Sequence, residues 1–137
     1  MSSYGLEILP PDECFALLAS QRLGRVAVDT GEYPAIFPVL FALLDNAVVF
    51  RTAPGDKLVA AALNRVVPFE VDEHDDDLRS GWSVLLVGTM EEILDPTDRA
   101  RAEALGLEPW AGEVRDRYVR IRPEHVSGRR IARPAIP

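Results

Sequence analysis

The sequence predicts a mainly β (α+β) fold, an antiparallel barrel with peripheral helices, and three observations predict it. Short β-branched and aromatic runs alternate with turn residues in the order helix, three strands, helix, two strands, helix, strand. Most neighbouring strands are joined by hairpins rather than βαβ crossovers. The chain has 137 residues, 47% of them hydrophobic, and no internal repeat, so we expect one domain over residues 1–137.

The composition limits the classes of partner. A net charge of -7 argues against nucleic acid, whose binding proteins carry a basic surface. The single Cys14 cannot form an internal disulfide, and its place on an apolar helix face predicts a buried, inert thiol. No apolar run is long enough to span a bilayer, and the start of the chain lacks signal-peptide features. We therefore expect a cytoplasmic protein without a membrane or nucleic-acid partner.

The first helix is predicted from its start signals. Pro11 at the entry, followed by Asp12 and Glu13, suits the first helical turn. Apolar residues then recur at helical spacing, and Gly24 is predicted to end the helix as its C′ residue.

Three strands follow, and their predicted bounds are Arg25–Asp29, Pro34–Leu44 and Ala47–Thr52. Asp45 and Asn46 form the hairpin turn between the second and third of them. Pro38 lacks a backbone donor, so the second strand should lie at a sheet edge or contain a bulge there.

The loop after the third strand has the chemistry of an anion site. Gly55 tolerates a positive φ, and a helix is predicted from Asp56 to about Asn64, with its N-terminus at the loop. Arg51, Thr52 and Lys57 add two cations and a hydroxyl. The spacing matches neither a Walker loop nor G-x-G-x-x-G, and local chemistry alone favours an ordinary strand-to-helix turn with solvated charges.

The second half adds two strands, one helix and a last strand. The first of these strands, Val66–Asp72, precedes an acidic loop at residues 73–77. For this loop, solvated charges are favoured over a metal site. The apolar run Trp82–Val87 predicts either a strand buried on both faces or one buried face plus an oligomer interface. Asp95 caps a helix that runs to about residue 105.

The C-terminal strand is predicted at Arg117–Arg122. Tyr118, Arg120 and Arg122 share one strand face. This face could bind an anion or stack on an aromatic ring, or it could be an ordinary solvated face, and the two interpretations are equally favoured. The segment from residue 129 onward is predicted to be extended or disordered, with a flexible tail over residues 132–137.

Six segments, in this order, resemble the pyridoxamine 5′-phosphate oxidase-like family of flavin-binding split β-barrels, most closely its small single-domain members common in actinobacteria. The segments are residues 24–28, 33–39, 50–58, 69–72, 81–88 and 120–128. The resemblance implies a split β-barrel and a homodimer with two flavin sites in clefts between the subunits.

The resemblance also implies cofactor-binding residues, and assigns no metal. The strand along the isoalloxazine ring corresponds to Phe37, Pro38, Val39, Leu40 and Phe41. The positions that hold the ribityl phosphate correspond to Arg51, Thr52 and Lys57. Contacts from the partner subunit correspond to Trp82 and Ser83.

Two departures separate this chain from the family's named oxidases. They carry an Arg-Lys pair in the phosphate loop, where this chain has Asp56 and Lys57, and a glutamine at the position of Ser83. The family resemblance therefore does not imply pyridoxamine phosphate oxidation.

The resemblance implies an FMN-dependent oxidoreductase acting on a small molecule, with hydride exchanged at N5 of the flavin. Backbone N–H groups near Pro38 and Val39 are expected to stabilise charge on the reduced ring, and no catalytic side chain is assigned. FMN is preferred to FAD because the loop offers one compact phosphate site and no dinucleotide fingerprint. A deazaflavin-dependent reductase, a non-catalytic flavin-binding or flavin-sequestering protein and a cofactor-free structural dimer stay open as alternatives.

Overall fold

The computed structural model describes residues 5–77, 79–108 and 117–132. The described part contains seven strands and three helices. The strands are β1 (Leu6–Leu9), β2 (Leu23–Asp29), β3 (Pro34–Leu44), β4 (Ala47–Thr52), β5 (Val66–His74), β6 (Ser80–Glu92) and β7 (Arg117–Ala132). The helices are α1 (Pro11–Ala19), α2 (Asp56–Ala62) and α3 (Pro96–Glu103).

Six of the strands form a closed antiparallel barrel. The sheet order is β1-β7-β4-β3-β2-β5-β6, and an additional pairing of β7 with β6 closes it. The long β7 makes closure possible, because it pairs with β6 along most of its length and with β4 and β1 at separate positions. The predicted split β-barrel with peripheral helices is confirmed.

Local signals predicted several elements to the residue. β3 and β4 have the predicted bounds, and Asp45 and Asn46 have φ values of 53° and 63°, as a two-residue hairpin turn requires. The Asp95 side chain accepts a hydrogen bond of 3.0 Å from the backbone N–H of Asp98, which confirms the predicted cap of α3.

Two predictions near the N-terminus were wrong or incomplete. β1 was missed. Gly24 does not end α1, which stops at Ala19, but lies in β2. There a Cβ at Gly24 would lie 2.8 Å from a ring carbon of Phe69. Glycine is needed because an aromatic ring packs against this strand, and not because the backbone turns.

The second half also differs from prediction at two places. Glu73 and His74 continue β5 instead of starting the acidic loop. β7 extends from Arg117 to Ala132, ten residues beyond its predicted end, so Ala132 belongs to a strand; residues 133–137 of the predicted tail lie outside the described residues.

The apolar run in β6 is buried on one face only. Val84 and Leu86 are fully buried in the core, whereas Leu85 between them is 40% exposed. The alternative of a strand buried on both faces was therefore wrong for the single chain, and an oligomer interface on the other face stays a prediction.

The core fills the barrel. Its largest fully buried side chains include Phe50, Phe69, Leu18 and Leu86. Phe69 meets Phe41 edge-on at a centroid distance of 4.9 Å, so one core ring rests on the strand that borders the cleft described below.

A charged cluster lies on the outer face of the barrel. Arg25 Nη1 lies 3.4 Å from Glu70 Oε1 and 3.6 Å from Asp72 Oδ2. Partial burial, and then the hydrogen bond and charge of the neighbouring Asp72 carboxylate, raise the pKa of Glu70 from 4.5 to about 7 against the opposing effect of Arg25.

This cluster predicts a pH dependence of stability. Between about pH 4.5 and 7 the folded chain holds a proton on Glu70 that the unfolded chain releases, so the free energy of unfolding should fall as pH rises through that window. Glu70→Gln should remove the fall, because glutamine does not titrate. Urea unfolding at pH 5 and pH 8 measures it, with Glu32→Gln in an exposed turn as the matched control. Equal pH slopes for wild type and Glu70→Gln would contradict the prediction.

Candidate functional site

A cleft opens where β3 and β4 separate. The two strands pair from Leu44 and Ala47 to Phe41 and Phe50, after which β4 continues against β7. Residues 34–40 then pair with β2 alone among the described strands. The gap holds a cavity of about 190 Å³, and its lining residues are Phe37, Pro38, Val39, Leu40, Arg51, Lys57 and Glu108.

The open edge of β3 explains Pro38 and identifies a backbone donor. Phe41 N–H donates to the carbonyl of Arg22 at 2.9 Å, so residues at alternate positions, including Val39, direct their N–H groups toward β2. Pro38 lies at one of the intervening positions, whose N–H groups point away from β2. Its missing N–H therefore faces the edge that has no strand partner, which confirms its predicted edge position. Leu40 N–H points the same way. Of the donors expected near Pro38 and Val39, that of Leu40 faces the cleft and that of Val39 does not.

Two cations meet at this cavity. Arg51 Nη1 donates to the carbonyl of Leu107 at 2.8 Å, and the guanidinium lies 5.6 Å from the centre of the Tyr118 ring. Lys57 Nζ lies 4.3 Å from the centre of the Phe37 ring. Both side chains are half-buried and held by their neighbours, so the positive charge has a defined position.

Two predicted site residues have side chains in the core instead. Phe41 is buried against Phe69. Thr52 is also buried, and its hydroxyl donates to the carbonyl of Ala53 at 3.1 Å. Neither side chain lines the cavity of about 190 Å³, and their contact with a cofactor stays a prediction.

Trp82 and Ser83 line a different cavity, of about 410 Å³, between β5, β6 and β7. Other residues around it include Glu73, His74 and Ile131. None of its lining residues is shared with the Arg51 cavity. One chain therefore does not bring the two predicted halves of the site together, and the assignment of Trp82 and Ser83 to a partner subunit's site stays a prediction.

The helix after the loop is shorter than predicted. α2 ends at Ala62 and not near Asn64, and its contribution to anion binding stays a prediction beside that of the two cations. Gly55 has φ 157° and ψ -163°, a region that is essentially restricted to glycine, which confirms its predicted role.

Glu108 and Leu107 were not predicted as site residues. They follow α3 and reach the cavity only through tertiary structure. Leu107, for example, lies 56 residues along the chain from Arg51, whose side chain it contacts. No local motif marks them.

The arginine face of β7 binds carboxylates of the same chain. Arg120 Nε lies 2.6 Å from Glu91, and its Nη1 lies 3.2 Å from Asp98 on α3. Arg122 also pairs with Glu91. Tyr118 packs under Arg99, whose guanidinium carbon lies 5.2 Å from the ring centre. Intramolecular ion pairs therefore hold Arg120 on this face, whereas the Arg122 side chain is 58% exposed, in agreement with the solvated alternative.

Cys14 is buried as predicted, and burial followed by the charge of Glu13 raises the pKa of its thiol. Within residues 5–77, 79–108 and 117–132, no cluster of three or more His, Cys, Asp and Glu side chains has the arrangement of a metal site. Across the same part of the chain, no helix has the length and apolar character needed to cross a membrane.

The closed barrel with a cleft between diverging strands defines a split β-barrel protein. A family model described as pyridoxamine 5′-phosphate oxidase matches residues 10–130, and this chain belongs to that family.

Three relatives support the assignment. An uncharacterised Mycobacterium tuberculosis protein is 39% identical over 90% of this chain and 84% of its own length. A structure of an FAD-binding protein from Mycobacterium smegmatis is 38% identical, with a TM-score of 0.74 over 91% of this chain and 99% of its own. An FAD-binding protein from Mesorhizobium loti is 26% identical, with a TM-score of 0.77 over 93% of this chain and 99% of its own.

Proposed function

We propose that this chain binds a flavin nucleotide, with a phosphate at Arg51 and Lys57 and the ring system along Phe37–Leu40. The observation that carries the proposal is the convergence of two held cations and an open strand edge on one cavity. A guanidinium and an ammonium match phosphate oxygens, and the N–H of Leu40 suits a carbonyl at the ring edge. The two FAD-binding relatives support the same ligand class.

The bound flavin would supply the redox chemistry. The chain's own contribution is to hold the phosphate, align the ring with β3 and place the donor of Leu40 at its edge. We propose an oxidoreductase acting on a small molecule, in the cytoplasm, where a lone thiol stays reduced. The competing proposal is a non-catalytic flavin-binding or flavin-sequestering protein. Reduction of the bound flavin by NADH or NADPH, followed as loss of its visible absorbance, favours the enzyme, and no reduction by either favours the binder.

FMN is the narrower prediction from the sequence, and FAD is the second candidate because two relatives are FAD-binding proteins. Both contain the ring and a ribityl phosphate, so the proposed contacts serve either one. Chromatography of the heat-released cofactor distinguishes them. A deazaflavin with a longer anionic tail calls for more basic residues than the described part of the chain brings to this cavity, where the third ionisable residue is Glu108.

Lys57→Ala should weaken flavin binding by about 10- to 150-fold, because a charge-assisted hydrogen bond contributes about 1.5–3 kcal/mol. The cost to folding should be about 0.5–1 kcal/mol, from the lost contact with the Phe37 ring. Titration of apo-protein with FMN and FAD measures the first quantity and urea unfolding the second. Equal dissociation constants for wild type and Lys57→Ala would show that Lys57 does not contact the flavin phosphate.

A second copy of the chain is proposed to complete the site. The cavity of about 190 Å³ is smaller than the roughly 300–1,000 Å³ typical of ligand pockets, so one protomer supplies too little wall. The outer barrel face carries exposed apolar side chains on three strands, with Ile36 68%, Val66 59% and Leu85 40% exposed. A partner on this face would cover them and add residues to the flavin cleft.

Sedimentation tests the dimer directly. At micromolar concentration the chain of 15.1 kDa should sediment as a species of about twice that mass. Leu85→Glu should shift it toward the monomer, because a charge would be buried at the interface. Leu94→Glu makes the same change at a 71% exposed residue outside these three strands and is the matched control. Detection of the 15.1 kDa species alone in wild type would contradict the proposal.

A further inference from the structure

The cavity contains three ionisable side chains of the described residues: Arg51, Lys57 and Glu108. With both cations and the carboxylate charged, their formal sum is one positive charge. A carboxylate beside a phosphate-binding pair opposes a negative ligand, so its presence needs a physical account.

The fold holds Glu108 at this place. The carbonyl of the preceding Leu107 accepts the 2.8 Å hydrogen bond from Arg51. Leu105 and Leu107 also pack against a small core cluster, whose buried members are Val49, Ile93, Ala102 and Tyr118. The backbone on the N-terminal side of Glu108 is therefore anchored on one of the cations, and this places Glu108 among the residues that line the cavity.

The two candidate cofactors differ in phosphate charge. FMN carries a phosphate monoester, whose second pKa lies near 6, so at pH 8 it has almost two negative charges. FAD also carries two negative charges, but they are divided between two phosphates, each of which is bonded on two sides and keeps one. The phosphate at Arg51, Lys57 and Glu108 would therefore carry almost two charges in FMN and one in FAD.

Resting on the proposed flavin function, we propose that Glu108 is a specificity-determining residue that makes the cavity favour the singly charged phosphate of FAD over the doubly charged phosphate of FMN. Its carboxylate repels the additional charge of FMN, while Arg51 and Lys57 attract both ligands. Because Glu108 is exposed, solvent screens the repulsion, and we expect a change in selectivity of about threefold to tenfold.

The test compares dissociation constants for FMN and FAD at low salt and pH 8. Glu108→Gln should tighten FMN binding more than FAD binding, so that the ratio of the two constants moves about threefold to tenfold toward FMN. Glu32→Gln makes the same change of charge in an exposed turn outside the cavity and should leave the ratio unchanged. An equal effect of Glu108→Gln on both flavins would overturn the proposal.

A pH series provides a second measurement that changes the ligand rather than the protein. At pH 5 the phosphate of FMN is mostly singly charged, so the wild-type disadvantage of FMN should shrink relative to pH 8. Glu108→Gln should show a smaller change between the two pH values. The same pH effect in both proteins would overturn the role of Glu108. If wild type binds neither flavin, the proposed function itself fails, which is distinct from binding with an unchanged ratio.

Discussion

Arg51→Ala is expected to weaken flavin binding by about 150-fold. In the proposed site the guanidinium would hold two phosphate oxygens in a fork, and charge-assisted hydrogen bonds contribute up to about 3 kcal/mol each. The same substitution removes the hydrogen bond to the Leu107 carbonyl and the packing over Tyr118. We therefore expect a further loss of about 1–2 kcal/mol in the free energy of unfolding.

Titration of apo-protein with FAD and FMN measures the effect, and two variants sharpen it. Arg51→Lys keeps the charge and loses the fork, so its affinity should fall between those of wild type and Arg51→Ala. Arg65→Ala removes an exposed arginine that does not line the cavity. Affinities of Arg51→Ala and Arg65→Ala that match each other would exclude Arg51 from the binding site.

Gly88→Ala is expected to cost about 3 kcal/mol of stability, at the upper end of overpacking substitutions. Gly88 lies at the irregular step of the β6–β7 ladder, and an added Cβ would overlap the carbonyl oxygen of Arg122 and lie 2.7 Å from its carbonyl carbon. These are backbone atoms, which cannot rotate away, and the pairing they belong to closes the barrel.

Thermal unfolding should show a fall in Tm of about 10 °C for Gly88→Ala. Ser127→Ala, at an exposed position of β7, should change stability by no more than about 0.5 kcal/mol. A comparably small change for Gly88→Ala would show that the ladder adjusts without cost and would contradict the account of barrel closure.

Elements with local causes were predictable from the sequence. The Asp45–Asn46 turn, the Asp95 cap and the breaks around β3 each depend on residues a few positions apart. Pro38 was also informative, because a proline has no N–H to donate to a neighbouring strand. It therefore predicts an edge or a bulge, and the structure places Pro38 on an open edge.

Elements with distant causes were not predictable in the same way. β1 has four residues and depends on pairing with Ile131 and its neighbours in β7. Gly24 resembles a helix terminator in sequence, and the Phe69 ring that requires it lies 45 residues away. Glu108 reaches the cavity through the packing of the segment after α3. Trp82 lies in another cavity of the same chain, and its predicted contact with a partner subunit's flavin stays a prediction.

The most direct test of the central claim is a crystal structure of the protein saturated with flavin. The account predicts phosphate oxygens within about 2.7–3.2 Å of Arg51 and Lys57 and the ring system along Phe37–Leu40. A flavin whose phosphate lies away from both cations, for example in the Trp82 cavity of the same chain, would contradict it.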